Sequence, residues 1–241
     1  MKFEKTQRLG ASMVGSDESL SVIGAFQIIE DTLTEFFGEY GIDGITIKQK
    51  YNAFWVFVKT RAKFFKGLAW NSEYTATACI SSMSAARMHV DIEVRDGGGA
   101  RVLYARVEVC VLDIAAQKIK RISDVGIDKS MVAQEVAEQV EFCKFDDEAF
   151  PLVEKVTVRS TNVDHSHHTN NLEYLRFIMN TYSVAQLEKK KIKEMEVIYA
   201  SQSYEGDELD VLKSERDGRD LIVLQKQGKP VVKSEIVFAC K

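Results

Sequence analysis

The chain has 241 residues, 45% of them hydrophobic and 28% charged, a balance that sets aside disordered and fibrous readings. Its net charge of −4 gives no general basis for nucleic-acid binding. No apolar run approaches the ~20 residues that span a bilayer, so neither a nucleic acid nor a membrane is an expected partner.

The opening MKFEKTQRLG is basic with no apolar stretch behind it, which is not a signal-peptide pattern. With Pro151 and Pro230 as the only prolines, long uninterrupted helices and strands are expected. Val22, Phe26, Ile29, Leu33 and Phe36 recur at spacings of four and three, which puts them on one face of a helix. Ser19 or Asp17 would cap its start, and Gly38 or Gly41 its end. Extended segments follow. Residues 54–65 are aromatic and β-branched, and Tyr74, Ala76, Ala78 and Ile80 alternate with polar or small residues. Residues 89–95 lead into Asp96-Gly97-Gly98-Gly99, a hairpin-turn signal. Leu103, Ala105, Val107, Val109 and Val111 then alternate along a long strand.

Residues 126–151 differ in character. They are acidic (Glu135, Glu138, Glu141, Asp146, Asp147, Glu148) with helical spacing through Met131, Val136 and Val140. They are expected to link two domains, 1–127 and 151–241, with the linker itself at 128–150. The second half repeats the order of the first. A helix is expected over 171–189, with Leu175, Ile178, Met179 and Tyr182 on its buried side. Strands are expected at 194–204, 209–215, 220–227 and 231–239, with turns at Gly206-Asp207, Asp217-Gly218 and Gly228-Lys229-Pro230. Each half is then one long helix followed by an antiparallel meander. The fold class is α+β, a tandem (double) hotdog in which each helix is wrapped by a curved sheet.

Chemistry concentrates in residues 158–182, VRSTNVDHSHHTNNLEYLRFIMNTY. Three of the chain's four histidines, His165, His167 and His168, fall here beside Asp164 and Ser166, just ahead of Asn170-Asn171 and a helix. Proton-transfer groups beside the free N–H donors of a helix start suit hydrolysis of a carbonyl compound. The four cysteines, Cys79, Cys110, Cys143 and Cys240, lack metal or redox spacing and read as reduced thiols of a cytoplasmic protein.

The run from Val163 to Tyr174 resembles the acyl–acyl-carrier-protein (acyl-ACP) thioesterases of plants and bacteria. Their pattern is an Asp, an Asn two positions on, a His two further, then Asn-Asn and a Tyr. Asp164, His168, Asn170 and Asn171 match. Ser166 stands where the family has its Asn, and Gln202-Ser203 where plant members carry Glu-Cys in a second catalytic cluster. The resemblance implies hydrolysis of acyl-ACP thioesters to free fatty acids, with no cofactor, no metal, and acyl carrier protein as partner; a homodimer stays open. The first half has no counterpart of the His–Asn-Asn cluster, so only the second unit is expected to be catalytic, and the resemblance implies that the first holds the acyl chain. Trp55, Phe57, Phe64 and Met83 are candidate tunnel residues, although ordinary core is the usual fate of such side chains.

On this reading His168 or Asp164 deprotonates the attacking water. In the preferred arrangement Asp164 orients or charges the site, His168 is the base, and Ser166 with Gln202 positions water and carbonyl. Gln202 can orient a water but cannot take its proton as a carboxylate would. Backbone N–H groups at residues 170–172 would hold the oxyanion, helped by the helix dipole. Plain helix capping by Asn170 and Asn171 is compatible with that role. Three other readings compete. Ser166, His168 and Asp164 have the residue types of a nucleophilic triad, but their spacing on one short segment does not suit a relay. His165, His167 and His168 are zinc-ligand types without a completing ligand set. A non-catalytic acyl-thioester-binding protein, or a hotdog dehydratase on the same thioesters, would also suit the fold. Finally, Lys189, Lys190, Lys191 and Lys193, with Arg176, would dock an acidic carrier protein or simply complement a helix C-terminus. His89 reads as a strand residue with no catalytic part.

Overall fold

The apolar stripe Phe26, Ile29, Leu33 and Phe36 is buried along one face of α1 (Val22–Glu39). The computed structural model describes residues 1–134, 138, 140–143, 145, 150–216 and 218–239. It divides into two compact units, Met1–Glu141 and Phe142–Lys241. The expectations at Glu135, Val136, Asp146, Asp147, Glu148, Asp217 and Cys240 lie outside the described residues.

In the first unit, β1 (Lys2–Arg8) precedes α1. After α1 come α2 (Gly44–Tyr51), β2 (Ala53–Phe64), β3 (Glu73–Met83), β4 (Met88–Asp96), β5 (Arg101–Asp113) and β6 (Lys118–Lys120). The strands pair antiparallel in the order β1-β3-β4-β5-β2, with β6 on β5. Alternation decides which face is buried. Ala76, Ala78 and Ile80 of β3, Val90, Ile92 and Val94 of β4, and Leu103, Ala105, Val107, Val109 and Val111 of β5 form one apolar surface. The other face carries Ser81, Asp91, Tyr104 and Arg106. There Asp91 accepts bonds from Arg106 Nε and Nη2 (both 2.7 Å), Tyr104 OH (2.5 Å) and Ser81 Oγ (2.8 Å). Described parts of the acidic segment bond to the same unit: Ala133 N to Ile80 O, Glu138 to Lys63 and Arg101, and Val140 O to Arg106 Nη1.

The start of α1 differs from expectation, while its end falls at the expected Gly41. Its N-cap is Ser21, not Ser19 or Asp17. Ser21 Oγ accepts from Gly24 N (3.0 Å) and donates to Met13 O (2.9 Å), while Asp17 Oδ1 is occupied by the Ser19 N–H. Gly24 must be glycine, because a Cβ there would lie 2.3 Å from Met13 O. At the other end Tyr40 is the C-cap and Gly41 follows at φ +65°, the left-handed turn that ends many helices.

The second unit repeats the plan. It contains β7 (Leu152–Thr157), α3 (Asn171–Met179), α4 (Val184–Lys189), β8 (Ile192–Tyr199), β9 (Glu208–Arg216), β10 (Arg219–Lys226) and β11 (Lys229–Phe238). Its antiparallel order is β8-β11-β10-β9-β7. The single helix expected over 171–189 is two helices. Ser183 restarts the chain with a reciprocal cap, its Oγ accepting from Gln186 N and its N–H donating to Gln186 Oε1. Tyr182, buried at the break, donates its hydroxyl to Asp220 (2.6 Å). The strand expected to run to residue 204 stops at Tyr199, and residues 200–207 form a loop closed by Tyr204 N on Asp207 Oδ2. Among the described residues no helix is long and apolar enough to cross a membrane.

Candidate active site

Residues 163–170 form a closed loop ahead of α3. Val163 and Thr169 make an antiparallel bridge. Asp164 N donates to His168 O (3.1 Å), and His167 N donates to Asp164 O (3.0 Å). His167 takes φ 63°, a left-handed conformation that costs a non-glycine residue about 1–2 kcal/mol and is held here by the bonds on either side. The Asp164 side chain works inside the loop, its Oδ1 accepting from Ser166 N (2.8 Å). Ser166 is exposed, and its hydroxyl meets His165 Nε2 at 3.4 Å.

The His168 ring is half-buried, with Nδ1 3.3 Å from Thr169 O. A carbonyl accepts only, so in the neutral ring the proton sits on Nδ1 and the lone pair on Nε2. Asn170 caps α3, its Oδ1 accepting from Leu172 N (2.8 Å), while Asn170 N donates to Asn162 O (2.9 Å). Two of the three N–H groups expected to serve an oxyanion are therefore engaged within the loop.

Thr169 joins this loop to residues 200–207. Its N–H donates to Ser203 O (2.8 Å). Gln202, one residue before Ser203, is exposed, and its Oε1 accepts from Tyr204 OH (3.1 Å). Ser203 is fully buried beneath it and hydrogen-bonded to Thr169 and Tyr174. Burial pushes the Asp207 pKa up, but Lys226 Nζ (2.7 Å) and the Tyr204 N–H bring it below the ordinary carboxylate value. Tyr204, Thr169 and Asn162 had no assigned part in the sequence reading. Of these, only Thr169 carried a signal, by lying inside the motif.

The remaining expected residues lie elsewhere. Trp55 packs on Phe37 (ring centroids 4.7 Å) and donates Nε1 to Ile42 O, while Phe57, Phe64 and Met83 are half-buried. Lys189, Lys191 and Lys193 are exposed at and after the end of α4. Lys190 instead lies 5.0 Å from the Phe238 ring centre and 3.7 Å from Glu215, and Arg176 pairs with Glu173. Among the described residues no three His, Cys, Asp or Glu side chains gather as metal ligands. His89 bridges Ser82 Oγ (2.8 Å) and Glu108 Oε2 (3.1 Å) across adjacent strands.

The first unit contains the same loop without these side chains. Val14 bridges Leu20, Gly15 N donates to Ser19 O, Glu18 N to Gly15 O, Ser21 N to Met13 O, and Leu20 N to Leu68 O. Glu18 even takes φ 57° where His167 takes 63°. By this matching Gly15, Asp17, Ser19 and Gly67 stand where Asp164, Ser166, His168 and Gln202 stand in the second unit.

Known proteins share this fold. Residues 146–238 match the family model of the acyl-ACP thioesterase C-terminal domain. The crystal structure of an acyl-ACP thioesterase from Bacteroides thetaiotaomicron has the same fold, with a TM-score of 0.92 at 16% identity, covering 99% of this chain and 98% of that one. A 12:0-ACP thioesterase from Umbellularia californica matches with a TM-score of 0.86 at 17% identity, covering 100% and 98%. A comparison with curated proteins finds no match. The protein is thus of the double-hotdog class, with a polar site loop at one helix start. Its carboxy-terminal region, residues 146–238, is similar to the C-terminal domain of the acyl-ACP thioesterases.

Proposed function

We propose that this chain hydrolyses acyl-ACP thioesters to free fatty acids and the carrier thiol, with His168 as base. The observation that carries this reading is the His168 ring itself. Its Nδ1 is engaged by Thr169 O, which leaves Nε2 to accept a proton beside a helix start. Water attacks the thioester carbon while His168 Nε2 takes its proton. The resulting oxyanion is held by the Asn171 N–H and the positive end of α3. The tetrahedral intermediate then collapses, the C–S bond breaks, and the imidazolium returns its proton to the leaving thiolate. Because Gln202 Oε1 accepts from Tyr204, its amide N–H groups are presented as donors, suited to orienting the carbonyl or a water. Asp164 shapes the loop and supplies negative charge for the imidazolium. Ser166 adds a hydroxyl to the water's surroundings.

The division of labour follows the two units. Residues 151–241 carry the chemistry, and residues 1–127 hold the acyl chain, with Trp55, Phe57, Phe64 and Met83 as tunnel residues. The exposed lysines 189, 191 and 193 receive the acidic carrier protein. Cys79 and Cys110, not joined in disulfides, support a reducing, cytoplasmic location.

Thiol release from a panel of short- to long-chain acyl-ACP thioesters, wild type beside His168→Ala, tests the reading. Turnover that falls ~100-fold or more in the variant is expected. Full activity in a folded His168→Ala protein removes His168 as base. Tight acyl binding without release from any member identifies a non-catalytic binder, the reading that Ser166 and Gln202 favour as substitutes for the family's Asn and Glu.

A further inference from the structure

Three buried hydroxyls join the two halves of the site. Ser203 Oγ lies 2.7 Å from Thr169 Oγ1 and 2.9 Å from Tyr174 OH. Ser203 N donates to Tyr174 OH (3.0 Å), and Ser203 O accepts from both Thr169 N (2.8 Å) and Thr169 Oγ1 (3.1 Å). His168 immediately precedes Thr169, and Gln202 immediately precedes Ser203. The Thr169 carbonyl is also the group that holds His168 Nδ1.

The first unit shows that the fold does not need these hydroxyls. Its matching backbone bond, Leu20 N to Leu68 O at 2.8 Å, forms between two leucines. Counted from each N-cap, Ser21 and Asn170, the residue at the place of Tyr174 is Ala25. Leu20 is half-buried, and Leu68 and Ala25 are buried. An apolar trio thus closes the same loop without the desolvation cost that buried hydroxyls carry. A polar trio in the catalytic unit, where an apolar one suffices, calls for a reason other than folding.

We infer that Thr169, Tyr174 and Ser203 are positioning residues that hold His168 in register with Gln202. The inference rests on the thioesterase reading given above. Misplacing a catalytic group by about 1 Å costs up to ~100-fold in rate, and a mesh of short hydroxyl bonds restricts the Thr169 carbonyl more tightly than one backbone bond does. It also gives Ser203 a role other than nucleophile, since its hydroxyl is sealed from solvent and engaged on both sides.

The test compares Tyr174→Phe and Ser203→Ala with the hydroxyl-preserving Thr169→Ser. Turnover is expected to fall ~10-fold or more in the first two with KM within about two-fold, and to stay near wild type in the third. In parallel, the ring nitrogens of His168, assigned by comparison with His168→Gln, are observed by 15N NMR. Wild type is expected in the Nδ1–H form, and Tyr174→Phe in a mixture of tautomers. If either variant fails to fold, the near-isosteric Thr169→Val carries the same measurements. Unchanged turnover and unchanged ring signals, with only Tm lowered, overturn the inference and leave the trio structural. If wild type hydrolyses no thioester, the functional reading fails, and the ring signals alone decide the positioning role: altered supports it, unaltered overturns it.

Discussion

Removing the Asp91 carboxylate should be among the most damaging single changes to the first unit. Asp91 is buried and accepts four hydrogen bonds, two from Arg106 and one each from Tyr104 and Ser81. In Asp91→Ala the guanidinium keeps its bond to Val140 O but loses its counter-charge, with only 12% of its side chain exposed. Stranding one member of such a pair costs about 3–5 kcal/mol. The Tyr104 hydroxyl loses its acceptor, and Ser81 keeps only the longer bond to His89 O (3.3 Å). However, a cavity of about 480 Å³ lined by Asp91 and Tyr104 adjoins them, so water can replace part of that loss. The net expectation stays at roughly 3–5 kcal/mol, a fall in Tm of roughly 6–20 °C for a chain of this size. Calorimetry of wild type, Asp91→Ala, Arg106→Met and the double variant measures it. The double variant should be far less damaged than the sum of the singles, because it leaves no buried charge unpaired. A loss under about 1 kcal/mol in Asp91→Ala, or strict additivity in the double, would refute the reasoning.

Other expectations follow from single contacts. Gly24→Ala should destabilise by about 1–3 kcal/mol or more despite alanine's better helix propensity, because the new methyl would meet Met13 backbone atoms at 2.3–2.8 Å. Gly38→Ala in the same helix, with nothing within 4 Å of its Cβ, should instead gain up to about 1 kcal/mol; denaturant midpoints of the two separate them. The His89 ring beside Glu108 is the main cause holding that carboxyl below its usual 4.5. A depressed folded-state value means a contribution fully present above 4.5 and lost as the pH falls through the folded value. Glu108→Gln should therefore be less stable than wild type at neutral pH, and the gap should close in acid; a gap that widens in acid contradicts this sign. Replacing Lys189, Lys191 and Lys193 by Glu should raise KM for carrier-protein thioesters about 10-fold and leave simple thioesters unaffected, an equal effect on both being the contrary result.

The sequence pattern revealed the strands whose faces differ. The alternation from Leu103 to Val111 is visible because one face is buried and the other is polar. It hid the edge strands β1 and β7, since KFEKTQR and LVEKVT are charged where an unpaired edge meets solvent. The helix break near Tyr182 was equally hidden, because Tyr182 continues the helical spacing while its hydroxyl answers to Asp220. Ser16, Asp17, Ser19 and Ser21 before α1 all have capping side chains, and the distant Met13 carbonyl helps select Ser21. In the site, His168 and Asn170 stood out from the motif. The capping of α3 by Asn170 was among the sequence expectations; what stayed illegible was the use of Asp164 inside the loop, and the orientation of Gln202 by Tyr204. These depend on bonds formed only once residues 34 apart in sequence, such as Thr169 and Ser203, have met.

The twin loops bear on how function can drift in such proteins. One set of main-chain bonds supports histidine and asparagine in one copy and two serines in the other. Altering the chemistry therefore requires no refolding, only the exchange of a few side chains on a shape that persists. The fold itself tolerates wide sequence change, for the same architecture survives at 16% identity.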